Sequence, residues 1–371
     1  AYSRTAVRMI GIGEGELIVA QVAERIRYGK HCEGIAGVWV KRADGTMHRS
    51  PRGPVMDINR LPIPDFSLFE ESRFYRPMGG TIHRTIPIEA MRGCSFGCSF
   101  CNSPGQVSLA KNADSGAFVR RKQVGVLEKE LAEMAGRYAP ELLYFVDDIF
   151  LGKPITWLED FARMYQRFGW RWWQNSRPES VTPKTLSLLR DSNCFRMSLG
   201  LEAGDEVYRD KGLHRKMRND LLLKHFEYAA DGGIVFSVNN IIGYPDETRT
   251  HVFETIALNR QIRGYDSLTV SIFTPYHGTE LRRLAEQKGY LDPSLITKHT
   301  TSSSLLDMPP PYLSQSDIDQ LMRTFALYVA MPKERWSEIE RAESEDAVFA
   351  ELQKEYRQAV WGDDPERGGM P

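Results

Sequence analysis

Three cysteines crowd into eight residues, Cys94, Cys98 and Cys101, in the stretch RGCSFGCSFCN. Thiolates so close in sequence must fold around one object, and Gly93 and Gly97 let the backbone turn tightly enough to do so. Tetrahedral zinc ordinarily takes four ligands, often as two Cys-x2-Cys pairs. Electron-transfer iron–sulfur clusters also use four cysteines. Here the spacing is Cys-x3-Cys-x2-Cys with no fourth cysteine nearby; Cys32 and Cys194 stand alone. A cluster held by three thiolates leaves one iron open, which suits catalysis as an open zinc position does. The alternative is a zinc knuckle or ferredoxin-like site that recruits Cys194 or Cys32 as fourth ligand. An odd, clustered set of thiols without a secretory signal reads as metal binding in a reducing compartment, with the cytoplasm as the default location.

Such a loop needs a scaffold that brings distant residues to one rim. Short apolar runs predict strands at Ile86–Met91, Leu142–Val146, Trp170–Gln174, Arg196–Gly200, Val235–Ile242 and Ser267–Phe273. Helical patterns separate them at Val124–Tyr138, Ile155–Phe168, Pro183–Asp191, Asn219–Ala230, Thr248–Ile262 and Glu280–Lys288. Six repeats of strand then helix imply an α/β protein with a parallel sheet, curled by right-handed crossovers into a partial (β/α)6 TIM-like barrel over residues 86–288. The cysteine loop follows the first strand, where barrel active sites lie. Residues 1–50 hold a short apolar run, a helix pattern at Leu17–Tyr28 and a β-rich stretch. Residues 51–85 form a Pro-rich connector around LPIPDF, too dense in proline for helix or inner strand. Residues 289–371 read as mostly helical after a polar hinge (Thr300–Ser304) and a triple proline, with Ser314 and Asp317 opening a helix through Tyr328. The tail WGDDPERGGMP is expected to fray.

The chain has 371 residues, with 48 Lys and Arg against 49 Asp and Glu. That balance gives no electrostatic case for a nucleic-acid partner. No run of about 18 apolar residues suggests a membrane span. The chain opens on Ala rather than Met, and reads as processed, tagged or cut from a longer protein.

With Phe100 before the last cysteine, the Cys-x3-Cys-x-aromatic-Cys stretch resembles the signature of radical S-adenosylmethionine (SAM) enzymes. The resemblance implies a [4Fe–4S] cluster on Cys94, Cys98 and Cys101, with SAM chelated at the open iron and cleaved by one electron to a 5′-deoxyadenosyl radical. It places Phe100 near adenine and implies an electron donor such as flavodoxin or ferredoxin, and a small-molecule or natural-product substrate. Later strand ends carry further similarities. In FVDDIF, Asp147 or Asp148 stands where the family places an acidic partner for the SAM ammonium; the local reading is a turn or a cap for the next helix. Arg177 is either a partner for the SAM carboxylate or paired with Glu179. Glu202, in SLGLEAGD, resembles the glutamate that contacts ribose hydroxyls or the ammonium; otherwise it is a first-turn glutamate favoured by a helix dipole. Gly243, Tyr244 and Pro245 resemble the segment that approaches adenine, with Asp246 in place of the usual Gly. His277 replaces a proline of the family pattern and is read as an exposed turn residue. No catalytic acid or base is assigned.

IGIGEGE, residues 10–16, is not a dinucleotide loop, because GxGxxG from Gly11 needs glycine where Glu16 stands. It resembles the last strand-to-helix turn of the Rossmann-like cobalamin-binding domain found before the barrel in one subgroup of the family, which includes class B methylases and enzymes resembling the anaerobic magnesium-protoporphyrin cyclase. Residues 1–50 would then be a remnant of that domain, and cobalamin is expected only in a fuller-length parent. The resemblance implies methylation of an unactivated carbon first and an oxidative cyclisation or rearrangement second. A tRNA methylthiotransferase comes third, since it needs three further cysteines. A non-catalytic iron–sulfur protein is the rival of another class. The WRWW run, Trp170–Trp173, is read as strand packing, and Tyr328 and Trp336 as either a barrel cap or ordinary core.

Overall fold

In the computed structural model, which describes residues 6–78, 81–298 and 302–362, the alternation of side chains along the strands sets the architecture. Met197, Leu199 and Leu201 of the strand Cys194–Glu202 are fully buried against helices, while Ser198 and Glu202 line a cavity on the other face. A period of two with one aliphatic face and one polar face is what a sheet needs to carry helices outside and a pocket inside.

Among the described residues there are twelve strands: β1 (Met9–Gly11), β2 (Val38–Lys41), β3 (Met47–Arg49), β4 (Tyr75–Met78), β5 (Thr81–Ile88), β6 (Met91–Arg92), β7 (Arg120–Arg121), β8 (Leu142–Phe145), β9 (Arg171–Ser176), β10 (Cys194–Glu202), β11 (Val235–Ile242) and β12 (Ser267–Ile272). Seven of them form one open sheet in the order β12-β11-β10-β9-β8-β5-β4. All neighbours are parallel except β4 and β5. The sheet is therefore a curled half-barrel with β4 and β12 as its edges. The first barrel strand starts earlier than its apolar run, at Thr81, because β4 pairs with it from the connector. Pro77 is tolerated there since β4 is an edge.

The helices Val124–Tyr138, Ile155–Tyr165, Pro183–Asp191, Asn219–Asp231, Arg249–Asn259 and Glu280–Gln287 cover the convex face. Two further helices lacked a clear pattern: Asn102–Asn112 after the cysteine loop and Glu206–Lys211 after β10. The first has little amphipathicity to read, burying only Ser103 and Ala110. An aromatic cluster of Phe145, Phe150, Phe161 and Trp172 anchors the core on the β8–β9 side. Each such side chain contributes roughly 2–3 kcal/mol by burial. Trp172 of the WRWW run packs there, whereas Trp173 turns inward to the cavity.

After the barrel, Ser314 caps Gln315–Ala330 with Asp317 reciprocating, and Trp336–Ala342 and Asp346–Trp361 follow. Tyr328 and Trp336 pack edge-to-face with Phe253 and with each other in a second core around β11, β12 and these helices, so they are core rather than cap. Most of the tail, from Asp363, and Thr300 and Thr301 of the polar hinge lie outside the described residues. Among the described residues no helix is long and apolar enough to cross a membrane.

The N-terminal unit is held differently. β1 does lead into a helix, Gly15–Arg27, but β1–β2–β3 is antiparallel, unlike the parallel continuation of a Rossmann-like remnant. An Asp44-Gly45 turn with Gly45 at φ +84° makes the β2–β3 hairpin and so sets that direction. The helix buries no residue. Ionic contacts supply its tie to the barrel. Glu14 accepts from the Met56 N–H at 2.7 Å and pairs with Arg120 and, at 3.3 Å, Arg92. Arg92 also pairs with Glu16 and Glu89, two residues before Cys94.

Candidate active site

The cysteine loop leaves the C-terminal end of β5 through β6. Gly93 takes φ +85°, and a Cβ there would lie 2.9 Å from the Phe118 ring, so no other residue fits without moving it. Ser103 closes the loop on itself: its hydroxyl accepts from the Cys94 N–H (2.8 Å) and donates to the Cys94 carbonyl (3.2 Å). Ser99 fastens the middle by donating to the Gly212 carbonyl through its hydroxyl (2.6 Å) and to the Leu213 carbonyl through its N–H (3.2 Å). The Leu281 N–H donates to the Ser99 carbonyl from the far side. The loop is thus held by segments that follow β10 and β12.

All three thiols are free, and each accepts an N–H: from Phe96 at Cys94 (3.5 Å), from Arg177 Nη1 at Cys98 (3.4 Å) and from Ser103 at Cys101 (3.5 Å). Burial pushes the Cys94 and Cys101 thiols up, and the N–H donors oppose it. Metal ligation overrides such a penalty, because a coordinated thiol is deprotonated outright. Three soft donors with N–H bonds to their sulfurs fit an iron–sulfur cluster. Neither isolated cysteine is placed to join them. Cys194 starts β10, roughly 25 Å along the strand from its C-terminal end. Cys32 packs with Ile35 and Val38 in the N-terminal unit.

The two aspartates after β8 separate. Asp147 is buried: Oδ1 accepts from the Ala90 and Met91 N–H groups, and Oδ2 pairs with the fully buried Lys153 at 2.5 Å. Both oxygens are committed to the frame under the cysteine loop. Asp148 is solvent-accessible at the rim, where partial desolvation by the surrounding chain, then Asp147 and Glu89, push its pKa up. Its charge reaches Cys94 and Cys101. Arg177 pairs with Glu179 but is buried rather than superficial, lying 4.0 Å over the Phe96 ring with Nη1 on Cys98.

Glu202 ends β10 at a register shift and takes φ +71°, rare for a non-glycine residue. Its side chain folds back over Gly200, where a Cβ would lie 2.1 Å from Oε1. Arg215 holds it from 3.5 Å while donating to the Gly200 carbonyl at 2.6 Å. Burial pushes the Glu202 carboxyl up, against Arg215 and Arg177. Arg215 carried no motif in the sequence; only the tertiary fold places it here.

Gly243, at φ +82°, opens the turn after β11. Tyr244 is buried with its ring 5.7 Å from Phe100, and its hydroxyl finds no partner among the described residues. An orphaned buried hydroxyl near Glu202 and Phe100 fits a bound nucleoside group. The Pro245 carbonyl accepts from Tyr208 Oη at 2.8 Å. Asp246 keeps the glycine-like backbone, at φ +65°, and is pinned by Lys288 (2.5 Å) and Tyr290 (2.9 Å). His277 is exposed in its turn, its Nε2 accepting from the Thr297 N–H at 3.4 Å.

Glu247 braces the same turn. Its Oε2 accepts from the Gly243 and Tyr244 N–H groups while Oε1 is unpaired, and burial pushes its pKa up to about 8. Below the ordinary value of 4.5 the carboxyl is protonated in both folded and unfolded chains. Between there and about 8 the unfolded chain has lost the proton that the folded chain holds, so this group's contribution to stability falls as pH rises. Glu247→Gln is expected to flatten that slope. Urea midpoints at several pH values check this, and an equal slope in the variant would refute it.

Phe100 and Glu202 stand at a cavity of about 890 Å3 that continues into the half-barrel past Tyr144, Trp173 and the inward faces of β10 to β12.

The sequence model of the Radical SAM superfamily matches residues 88–258. An uncharacterized methyltransferase of Pyrococcus horikoshii is 25% identical over 84% of this chain and 64% of its own. The anaerobic magnesium-protoporphyrin IX monomethyl ester cyclase of Rubrivivax gelatinosus is 25% identical over 72% of this chain and 47% of its own. Among solved structures, the cobalamin-dependent SAM radical enzyme OxsB with aqua-cobalamin bound has the same fold, with TM-score 0.63 and 14% identity over 97% of this chain and 58% of that one. This chain thus spans between about half and two thirds of the length of these relatives.

Proposed function

This chain belongs to the radical SAM superfamily, and from that premise we propose that it cleaves S-adenosylmethionine reductively and uses the resulting 5′-deoxyadenosyl radical to take a hydrogen atom from an unactivated carbon. The observation that carries the reading is the loop of three free thiols, each receiving an N–H, at the C-terminal edge of a parallel half-barrel and beside a cavity. When bound on Cys94, Cys98 and Cys101, a [4Fe–4S] cluster supplies one electron to the sulfonium and an open iron for the methionine amino and carboxylate groups.

The chain's own residues do the rest. Phe100 and Tyr244 offer aromatic faces and an unpaired hydroxyl for the adenosyl group. Glu202, oriented by Arg215, accepts hydrogen bonds from ribose hydroxyls or from the ammonium, and Asp148 adds negative charge at the rim for the ammonium. Arg177 sets the charge around Cys98. The electron enters the S–C5′ bond, which breaks to methionine and the adenosyl radical. That radical gains a hydrogen atom and leaves as 5′-deoxyadenosine.

Among outcomes for the substrate radical, methylation comes first and oxidative cyclisation second, in keeping with the names of the two curated relatives. The N-terminal sheet and helix of this chain do not enclose a corrin, so cobalamin enters only for a longer parent protein and no step is routed through it here. A flavodoxin or ferredoxin would supply the electron.

The test is anaerobic reconstitution with iron and sulfide, reduction with dithionite, and assay of 5′-deoxyadenosine from SAM. The reading predicts its formation and a SAM-dependent change in the EPR signal of the reduced protein. A reconstituted protein that shows neither would overturn it. Methyl-labelled SAM then separates the outcomes: label in the product means methylation, unlabelled product means cyclisation.

A further inference from the structure

We propose that the deep part of the barrel cavity binds the substrate of the reaction proposed above, and that this substrate is a compact, uncharged ring bearing hydroxyl or amide groups, laid against Trp173. The inference rests on the radical reading only for what happens to the ring; the recognition is argued from the cavity itself.

Closed parallel barrels fill their interior with layers of bulky branched side chains. Here the inward positions of β10, β11 and β12 carry Ser198, Ser237, Asn239, Thr269 and Ser271. Small polar groups at those positions leave space, and the volume of about 890 Å3 falls within the range of small-molecule sites. The wall is a connected hydrogen-bond surface. Trp173 Nε1 donates to Ser198 Oγ (2.8 Å), the single Ser237 O–H is shared between Ser198 Oγ and Asn239 Oδ1 (3.3 Å each), and Thr269 Oγ1 donates to Asn239 Oδ1 (2.8 Å). The Ser237 and Thr269 hydroxyls still have acceptor capacity, none of these bonds uses the Ser198 O–H, and the Asn239 amide keeps its two N–H donors for a ligand.

The adjoining wall, on β8 and β9, is aromatic and rigid. Trp173 stacks on Tyr144 with centroids 4.0 Å apart and an interplanar angle of 16°. The indole is fixed by its bond to Ser198, and the Tyr144 hydroxyl accepts from Asn175 Nδ2 at 2.9 Å. A fixed aromatic face beside amide and hydroxyl groups suits a ring with one flat or C–H-bearing face and polar edges.

Charge settles the class further. Arg196, at the floor, pairs through both Nη1 and Nη2 with Asp266, and Nη2 also donates to Ser267 Oγ. Glu202 is held by Arg215. Among the described residues the lining therefore has no uncommitted charge, and a phosphate or carboxylate in the depth would be desolvated without a counter-ion there. A hydrocarbon would instead leave the Asn239 N–H donors without a partner.

The shared chemistry covers both sugars and nucleobase-like rings, so binding to the reconstituted protein is measured by saturation-transfer NMR with methyl β-glucoside and uridine as neutral probes. Glucose 6-phosphate, uridine 5′-monophosphate and toluene are the contrasts. At least one neutral ring is expected to bind at least tenfold more tightly than its phosphorylated counterpart and than toluene, and which of the two does so identifies the ring type. Trp173→Ala should weaken it at least tenfold and Asn239→Ala about threefold or more. Ser237→Ala, the smallest change to the wall, keeps the test available if Trp173→Ala does not fold. Equal binding of neutral and phosphorylated probes, or neutral binding untouched by these substitutions, overturns the proposal. A protein that forms 5′-deoxyadenosine but ignores the neutral probes sinks this inference alone; one that binds them but never cleaves SAM sinks only the radical reading.

Discussion

Cys98→Ala is expected to abolish 5′-deoxyadenosine formation, by on the order of a thousandfold or more, with loss of most of the reconstituted iron. Cys98 is the middle thiol of the loop and the proposed central ligand, the most buried of the three, and the one that Arg177 contacts. Two thiolates from one side cannot enclose a cluster that three are needed to hold, and a thousandfold corresponds to about 4 kcal/mol of transition-state stabilisation. Cys194→Ala is the matched control. It removes a buried thiol whose bond goes to the Arg196 carbonyl at the far end of β10, so iron content and product should be unchanged. Iron loss in Cys194→Ala, with iron retained in Cys98→Ala, would refute the three-ligand assignment.

Lys153→Met is expected to destabilise the folded chain by about 3–5 kcal/mol, because it leaves the Asp147 carboxylate buried without its counter-ion. Both side chains are fully out of solvent and 2.5 Å apart. Burial alone pulls the Lys153 ammonium pKa down, with Asp147 opposing it, so the pair stands or falls together. Asp147 also accepts the Ala90 and Met91 N–H groups that lead into the cysteine loop, so the same variant should reconstitute with less iron. The double change Asp147→Asn with Lys153→Met should recover much of the loss. An asparagine oxygen still accepts both N–H groups, and its amide can donate to the Phe150 carbonyl that Lys153 now occupies at 3.1 Å. A double-mutant cycle by chemical denaturation reads this coupling. A single variant within 1 kcal/mol of the parent would show that the pair does not hold this corner.

How far the sequence anticipated the site depends on whether the signal was local. The cysteine loop was legible because its three thiols, its turn glycine and its aromatic are contiguous. Glu202 and Gly243–Pro245 were legible by order, each at the end of a successive strand. The Asp246 departure from glycine proved neutral to the backbone, since aspartate adopts the left-handed conformation when its carboxylate is pinned. Asp147 and Asp148 were indistinguishable because adjacent residues at a strand end turn to opposite sides, and only the position of Lys153 shows which side is the frame. Trp172 and Trp173 posed the same problem. One is fully buried beneath helices and the other lines the cavity, yet their order within WRWW does not announce it.

By itself the sequence carried the family resemblance, through contiguous motifs, and the open α/β half-barrel and the cysteine loop, through periodicity and short spacings that survive without three-dimensional information. Tertiary structure decided the rest. It placed Cys194 at the far end of β10 and Cys32 in the packed core of the N-terminal unit, turned Arg177 from a surface pair into a buried neighbour of Cys98, and brought Arg215 to Glu202. It showed that the N-terminal strand and helix sit in an antiparallel sheet tied to the barrel by Glu14 and Arg92. The physical reason is common to all of them: charge pairing and cavity lining depend on which side chains converge across strands far apart in the chain, and no spacing along the chain encodes that.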